Sequence, residues 1–594
     1  MNLSTRQKIG GGIALLVVAA LLLVAYAIVT IDSTRLVAVV SQQVKANTGR
    51  DLEIKGPVSI KLFPKLAVVA EQVTLSNASW AADPEMLTIK QVAFSLAWAP
   101  LFNKRIEIQS VSLDQMQLVL QSAPLGKKAS GNWVMAPTNA PASNADAASG
   151  FSFALAEVHL NQVAVSYKTS AGAVVDTLLI KRFDIKSAGQ QTQLDGQMRW
   201  NDLPLTLKGH TDSWQRFING GLSAPTDFSL DINVGLNKQF TRLWGQIHID
   251  PKRDPVADLN IKADALDLRA LAKSPSAGAV GTASKGSVFS DTPIGFDQWP
   301  VWQGQVQAAV GVLTLPDGIQ LQQVKATLTA SADDALSLAP LSFRMGAGQV
   351  EADAQINGVH GNLPAVQARG FATGFTLGQI MAQMGKANQL SGGPAQMAFH
   401  LKSQGKTAHG LAANANGEAQ ISVGAATASS SLLNAGGDFV VSVLNAINPL
   451  RKTTDTTQLQ CAVAYLPVQN GLVRINQTIG VQTDRLDVTL DGRINLGPET
   501  LSLNITPKEK TGLTTGVNPA GLVQITGTLA NPRMGINKTG VVKQATGVGL
   551  AIMTGGISLL AQNAAGVVSK SSPCDNVLRP WSKVAGGLAT MPSY

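Results

Sequence analysis

The stretch AVVAEQVTLS, residues 67–76, sets out the pattern that decides the fold. Val68 and Ala70 alternate, two residues interrupt, and Val73 and Leu75 alternate again. Nineteen residues on, Leu87, Ile89, Val92 and Phe94 repeat it, and after nineteen more come Ile106, Ile108, Val111 and Leu113. It returns as Phe153, Leu155, Val158 and Leu160, as Leu178, Ile180, Phe183 and Ile185, and more weakly as Ile319, Leu321, Val324 and Ala326. Successive Cβ atoms of a strand point to opposite faces, so an alternation of period two gathers apolar side chains on one face. An advance of three would flip that pattern, and one bulged residue restores it. Two copies run on at matching offsets, with Met116, Leu118 and Leu120 in one and Val163, Val165 and Tyr167 in the other. The chain therefore reads as repetitive β-structure that keeps one apolar face for hundreds of residues.

The pattern extends in both directions. Leu52, Ile54, Val58, Ile60 and Leu62 alternate with Asp51, Glu53, Lys55, Ser59 and Lys61. One dry and one wet face is the signature of an antiparallel sheet. Hairpin signals lie between alternating runs at Asp195-Gly196, Asp317-Gly318, Asn357-Gly358, Asn470-Gly471 and Asp491-Gly492. Residues 121–150 and 274–298 read as loops by their Ser, Ala, Gly and Pro content. A short helix is expected at 438–447, where Phe439, Val443 and Ile447 recur every four residues.

Length would allow several domains, but a repeat grows a body in one dimension. Of 594 residues only 14% are charged and 5% aromatic, while 56 are glycine, a composition of strands and turns rather than helical bundles. The net charge of +9 is spread thinly, without the concentrated basic stripe and stacking aromatics of a nucleic-acid binder.

Residues 9–29 carry no charge and are long enough to cross the hydrocarbon layer of a bilayer. Arg6 and Lys8 before them favour a cytoplasmic tail, residues 1–8. A cleaved signal peptide is the rival reading, because Ala25-Tyr26-Ala27 satisfies the small-x-small rule. Residues 30–50 read as an amphipathic helix, with Asp32 as N-cap, Leu36, Val40 and Val44 as the apolar stripe and Gly49 as the stop. The β-region then divides into 51–273 and 299–540 about the second loop. Residues 541–594 end the chain as a capping helix and tail, with a second membrane contact at 544–569 as the sharper alternative. The two cysteines, Cys461 and Cys574, suggest a disulfide in an exported protein, with two unpaired thiols as the alternative.

Catalytic patterns find no footing. The six histidines are scattered without metal-ligand spacing. Gly405-Lys406-Thr407 ends like a phosphate-binding loop, but His400 occupies the place of its first glycine. Asp333-Asp334 reads as solvated turn carboxylates. The chain is expected to be neither an enzyme nor a holder of cofactor or metal.

Several short motifs, in order, resemble the AsmA family. They are Thr48-Gly49-Arg50 entering a strand, Asn77 and Trp80 before Pro84 and Met86, and Pro100-Leu101 before Ile106. Gly131-Asn132-Trp133, Gly346-Ala347-Gly348, and Gly527-Thr528-Leu529 leading to Asn531-Pro532 follow. The resemblance covers essentially the whole chain. It implies a single-pass protein of the bacterial inner membrane with its bulk in the periplasm, related to bridge-like lipid-transfer proteins. It also implies phospholipid partners and a role in outer-membrane biogenesis.

The expected fold is mostly β: an N-terminal transmembrane helix, then an elongated, twisted antiparallel sheet curled into a groove, with short helices near both ends. About 30 strands at ~4.8 Å spacing would run about 150 Å. Candidate groove-lining residues are Leu52, Ile54, Val58, Ile60, Leu62, Ile106, Ile108, Val111, Leu113, Phe153, Leu155, Val158 and Leu160. An apolar face of that extent must curl on itself or hold something apolar, and acyl chains would suit. The alternatives are an assembly factor offering a sheet edge to outer-membrane proteins and a purely structural sheet.

Overall fold

The computed structural model describes residues 41–42, 44–46, 48–61, 65–101, 106–124, 131–134, 151–214, 225–269, 286–296, 299–379, 390–429, 456–484, 486–509, 523–536 and 572–588. Leu62, the span 9–29, the helix expected at 438–447 and residues 544–569 lie outside them. Among the described residues no helix is long and apolar enough to cross a membrane. Twenty-seven strands and a few short helices among the described residues make the fold mostly β. Two units divide it, Met1–Pro251 with Lys273–Ser276, and Lys252–Ala272 with Ala277–Tyr594.

The first unit is a ladder in chain order. Its strands are β1 (Leu52–Ile54), β2 (Val58–Lys61), β3 (Ala67–Ser76), β4 (Glu85–Leu96), β5 (Ile106–Gln121), β6 (Phe151–Lys168), β7 (Val174–Ala188), β8 (Gln191–Trp200), β9 (Leu203–Asp212), β10 (Thr226–Leu236) and β11 (Gln239–Ile249). The short β1 and β2 share one edge of β3, and from β3 to β11 each strand pairs with the next. Helix α1 (Trp98–Leu101) joins β4 to β5. Ahead of β1 the described residues of 41–48 are helical, and Gly49, at φ 69°, donates its N–H to the Lys45 carbonyl.

The two-residue breaks in the pattern stand in line across this ladder. Glu71 faces Gln91 and Val73 faces Ile89, which sets Gln72 opposite Lys90. Gln115 of β5, Gln162 of β6 and Lys181 of β7 continue the row. Gln72, Gln115 and Gln162 have φ of 52°, 50° and 51°, the left-handed conformation of a bulge residue. Because neighbouring strands carry the break at the same level, register passes through it unchanged. The row ends between β7 and β8, where register shifts by one residue between Ile180 and Arg182.

The second unit continues as β12 (Val256–Asp267), β13 (Gln303–Thr314), β14 (Gln320–Ser331), β15 (Ala335–Met345), β16 (Gly348–Asn357), β17 (Ala365–Thr376), β18 (Leu390–Gly392), β19 (Pro394–Gln404), β20 (Asn416–Val423) and β21 (Ala426–Ser429). It ends with β22 (Thr456–Gln469), β23 (Leu472–Thr483), β24 (Leu486–Asn495), β25 (Thr500–Glu509), β26 (Val523–Thr528) and β27 (Pro532–Ile536). Helix α2 (Ala408–Ala413) links β19 to β20, and α3 (Pro573–Val577) and α4 (Trp581–Val584) lie in the C-terminal segment. Pairing follows chain order from β12 to β17, then β17–β19–β20–β22 and on to β27. The short β18 and β21 pair beside β22. A similar break recurs at Gln323, with φ 52°. In the neighbouring strand a Cβ on Gly311 would lie 2.4 Å from the Asp264 carbonyl oxygen, so the close approach of β12 and β13 requires glycine there.

Two expectations are corrected. The sheet is not wholly antiparallel, since β5–β6 and β12–β13 are parallel. A parallel pair needs a connection that carries the chain back to the same end, and the two Ser/Ala/Gly/Pro-rich stretches are those connections. In the second, read as a loop, the described residues 286–296 are bonded to Glu499, Lys406 and His409. Asp195-Gly196 and Asp491-Gly492 are not turns and lie inside β8 and β24. A Cβ on Gly196 would meet the Phe183 ring at 2.5 Å, and one on Gly492 the Ser502 carbonyl oxygen at 2.1 Å. These glycines make room across strands. The other three signals are turns, with Gly318, Gly358 and Gly471 at φ of 92°, 67° and 69°.

Candidate functional site

Residues paired across a ladder point to one face, so the register traces an apolar surface from strand to strand. In the first unit Ile60 stands opposite Val68, Val68 opposite Phe94, and Phe94 opposite Val111. Val111 and Leu113 stand beside Val158 and Leu160, which face Ile185 and Phe183. The surface continues through Leu194 and Met198 to Leu205, then from Leu207 to Val234 and from Ile232 to Leu243. From β3 to β11, eight strand spacings of ~4.8 Å give a face about 38 Å wide.

Its two halves differ in cover. Ala70, Val73, Ile89 and Val92 are buried, and Leu52, Ile54, Val58, Val111 and Leu113 pack around them. Ile60, Ile108, Val158 and Leu160 are half-buried. Phe153 pairs with Ile108, Ile106 with Phe151, and Leu155 falls in the register shift that follows. Further along, Leu194, Met198, Leu205, Leu207, Ile232 and Val234 are all half-buried. Their neighbours shield their sides, and no second layer of described residues closes over them.

The corresponding face of the second unit runs from Ala368, Gly370 and Ala372 to Leu401, Phe399 and Met397, and on to Ile421 and Val423. Met397 and Ile421, directly paired, are each 39% exposed. Beyond β22 the same face becomes a dry core, in which Val488, Leu503, Ile505 and Ile525 are 0% exposed. That end of the predicted groove is filled by its own side chains.

The opposite face of the second unit carries a strap over a mixed apolar and polar surface. Cys574 of α3 is disulfide-bonded to Cys461 of β22, with Cα atoms 6.5 Å apart across 113 residues of sequence. Cys574 and Val577 pack on Val463, and Val584 and Ala585 pack on Phe371 and Ala398. Between them Gln420, fully buried, donates to the Arg579 carbonyl at 3.0 Å and accepts from its N–H at 2.7 Å. Arg369 reaches the Gly586 carbonyl at 3.0 Å. Burial, then the Glu418 carboxylate at 2.5 Å, pushes the Tyr465 hydroxyl up to about 12. In the first unit the polar face holds His159, 2.6 Å from Asp184 and 3.3 Å from Glu157, beside Arg182. Desolvation opposes the charge on Asp184, but His159 and Arg182 outweigh it and hold its carboxyl below the ordinary value. No nucleophile stands in this cluster.

The motifs at 48–50, 77–84 and 131–133 converge at one end of the first unit, while those at 346–348 and 527–532 belong to the second. Asn132, fully buried, accepts from Gln121 N–H at 2.8 Å and donates to Asn77 Oδ1 at 2.9 Å and to the Val119 carbonyl at 2.8 Å. Its own carbonyl receives Arg50 Nη2 at 3.1 Å. Asn77 N–H bonds the Pro84 carbonyl, and Thr48 Oγ1 caps the preceding helical turn through the Val44 carbonyl. A Cβ on Gly131 would strike the Trp133 ring at 2.2 Å. These residues seal strand ends and tie the sheet. Gln121 had no signal in sequence beyond its place at a strand end.

Thr407, the tail of the phosphate-loop look-alike, accepts from Gly410 N–H and caps the short α2. Asp334 sits in a turn at φ 55°.

No curated protein matches the chain. The AsmA family pattern matches residues 5–259 and again 259–478, most of the chain. With its mostly β ladders and the convergence of its motif residues, the protein belongs to the AsmA family.

Proposed function

We propose that the apolar sheet face binds phospholipid acyl chains, and that the protein supports phospholipid transport to, and biogenesis of, the outer membrane. On this reading residues 9–29 anchor it in the inner membrane, with the bulk of the chain in the periplasm. The observation that carries the proposal is the half-buried run from Leu194 to Val234: aligned apolar side chains in open register, with no second protein layer among the described residues. Such a surface calls for an apolar occupant, and each buried methylene would contribute about 0.8 kcal/mol regardless of headgroup. The chemistry supported is binding rather than catalysis.

A sheet edge that captures outer-membrane proteins gains less support. At the chain-terminal ends of the two ladders, β1, β2 and β27 have only three, four and five residues, and β27 begins with proline, which cannot donate to a ladder.

Ile60→Asp tests the lipid reading. Ile60 is half-buried, so the protein should fold while its lipid content, measured by extraction and mass spectrometry, falls. Unchanged lipid in a folded Ile60→Asp protein would count against it.

A further inference from the structure

Residues 286–296 and 299–302, within the connection between β12 and β13, run as a belt along one end of the second unit. Glu499, in the β24–β25 turn, receives Ser287 Oγ at 2.7 Å, Val288 N–H at 2.6 Å and Phe289 N–H at 2.8 Å. His409 of α2 gives its backbone N–H to the Ser290 carbonyl and holds Asp291 at 2.6 Å. Ile294 N–H bonds the Lys406 carbonyl, and His360 of the β16–β17 loop meets the Trp299 carbonyl at 2.9 Å. The belt thus crosses the ends of β24, β19, β16 and β14 in turn.

Its large apolar side chains do not all turn inward. Val288, Ile294, Trp299 and Val301 are 48%, 43%, 40% and 54% exposed, and Leu363 of the β16–β17 loop is 55% exposed. Phe296 does turn inward. It packs on Ala330, Leu336 and Val359, with Trp302 and Leu328 beside them, and Leu328 and Leu336 belong to the apolar sheet face. The Trp299 ring stands edge-on to Phe296, centroids 6.5 Å apart. A small open cleft lies between Trp299, Val301, Trp302 and Leu336, with Asp254, Asp334 and His360 also on its wall. Apolar contact therefore passes from the sheet face, through Phe296, to Trp299 on the exposed rim.

We propose that this rim docks on the surface of a phospholipid bilayer and is where acyl chains pass between that bilayer and the sheet face of the second unit. The inference rests on the acyl-binding reading above and adds the partner and the place of contact. Two features favour a bilayer over a protein. The belt's backbone groups at 288, 289 and 294 are already bonded within the chain, so it offers no ladder edge to a peptide. The side chains are aliphatic with a tryptophan, the pairing that suits the boundary between headgroups and acyl chains.

The test places an environment-sensitive fluorophore at Val301→Cys or Leu363→Cys in the full-length chain held in lipid nanodiscs. The native cysteines are bonded to each other and leave the new thiol as the labelling site. The nanodisc lipids carry brominated acyl chains, and phosphatidylcholine vesicles brominated in the same way are then added. The expected result is a blue shift and bromine quenching at both positions, and neither at Gln367→Cys on the polar face of β17. Emission that stays water-like at Val301→Cys and Leu363→Cys would overturn the proposal. So would shielding without bromine quenching, which would mean a protein partner. Lipid on the sheet face is read separately by crosslinking, so a loaded face with a water-exposed rim sinks this inference alone.

Discussion

Removing the disulfide should weaken the second unit by an amount that the structure sets. The bond between Cys461 and Cys574 closes a loop of 113 residues. The chain-entropy relation gives about 16 cal/mol/K for a loop of that length, or about 4–5 kcal/mol at 25 °C, through loss of freedom in the unfolded chain. What remains of the strap is substantial. Three hydrogen bonds tie Arg579 and Gly586 to Gln420 and Arg369, at about 1 kcal/mol each. Val577 and Val584 are buried at 2% and 0% exposure, each contributing about 1.5–3 kcal/mol. The Cys461→Ser/Cys574→Ser protein should therefore keep its strap docked while its urea midpoint falls by the equivalent of about 4–5 kcal/mol. Hydrogen exchange at Arg579 and Gly587 should quicken, with β3–β5 of the first unit unchanged. A midpoint within about 1 kcal/mol of the parent would refute the reasoning, because the loop length leaves no room for so small an effect.

Other outcomes follow from single residues. Asn132→Ala strands buried partners at Gln121 and Asn77 and should cost about 2–4 kcal/mol in urea unfolding; an effect below 1 kcal/mol would show that the motif does not tie the sheet end. Gln162 holds φ 51° in a strand, so Gln162→Ile should destabilise by about 1–2 kcal/mol and Gln162→Gly should not. Equal effects of the two would remove the bulge account. The Gly497 carbonyl, then Asp291, raises the pKa of His409 above its 6.5 reference. Its contribution to the belt is full below that reference and is lost as pH rises through the folded value. Glu499 is opposed by desolvation, but the bonds from Val288, Ser287 and Phe289 outweigh it and hold it below 4.5; its contribution is lost on acidification through the folded value. Protection factors at Ile294 should therefore peak between the two. Loss of the alkaline limb in His409→Gln would support this, and a flat profile in the parent would contradict it.

Much of the fold could be read from residues 67–113, because a dry face with a regular break leaves few alternatives to a bulged ladder. The row of Gln72, Gln115 and Gln162 was foreshadowed as separate breaks; that they stack across strands depends on register, which no single strand encodes. The parallel pairs stayed hidden because alternation looks the same in either direction, and only the connection length distinguishes them. Asp195-Gly196 and Asp491-Gly492 misled for a related reason. A glycine that clears a ring or a carbonyl across the strand looks like a turn glycine. The disulfide pairing followed from counting two cysteines. The most open part of the first unit's apolar face, Leu194 to Val234, was passed over because its alternation lacks the break that marked the other copies. The belt's packing had no local signal, since Glu499 meets Val288 across 211 residues.

The central claim is that the open apolar face carries acyl chains, and photocrosslinking in living cells tests it most directly. A photoreactive amino acid at Leu205 or Val234, on that face, would be compared with one at Lys208 on the other. The account predicts phospholipid adducts at Leu205 and Val234 and none at Lys208. Adducts only to protein, or equal lipid labelling on both faces, would contradict it.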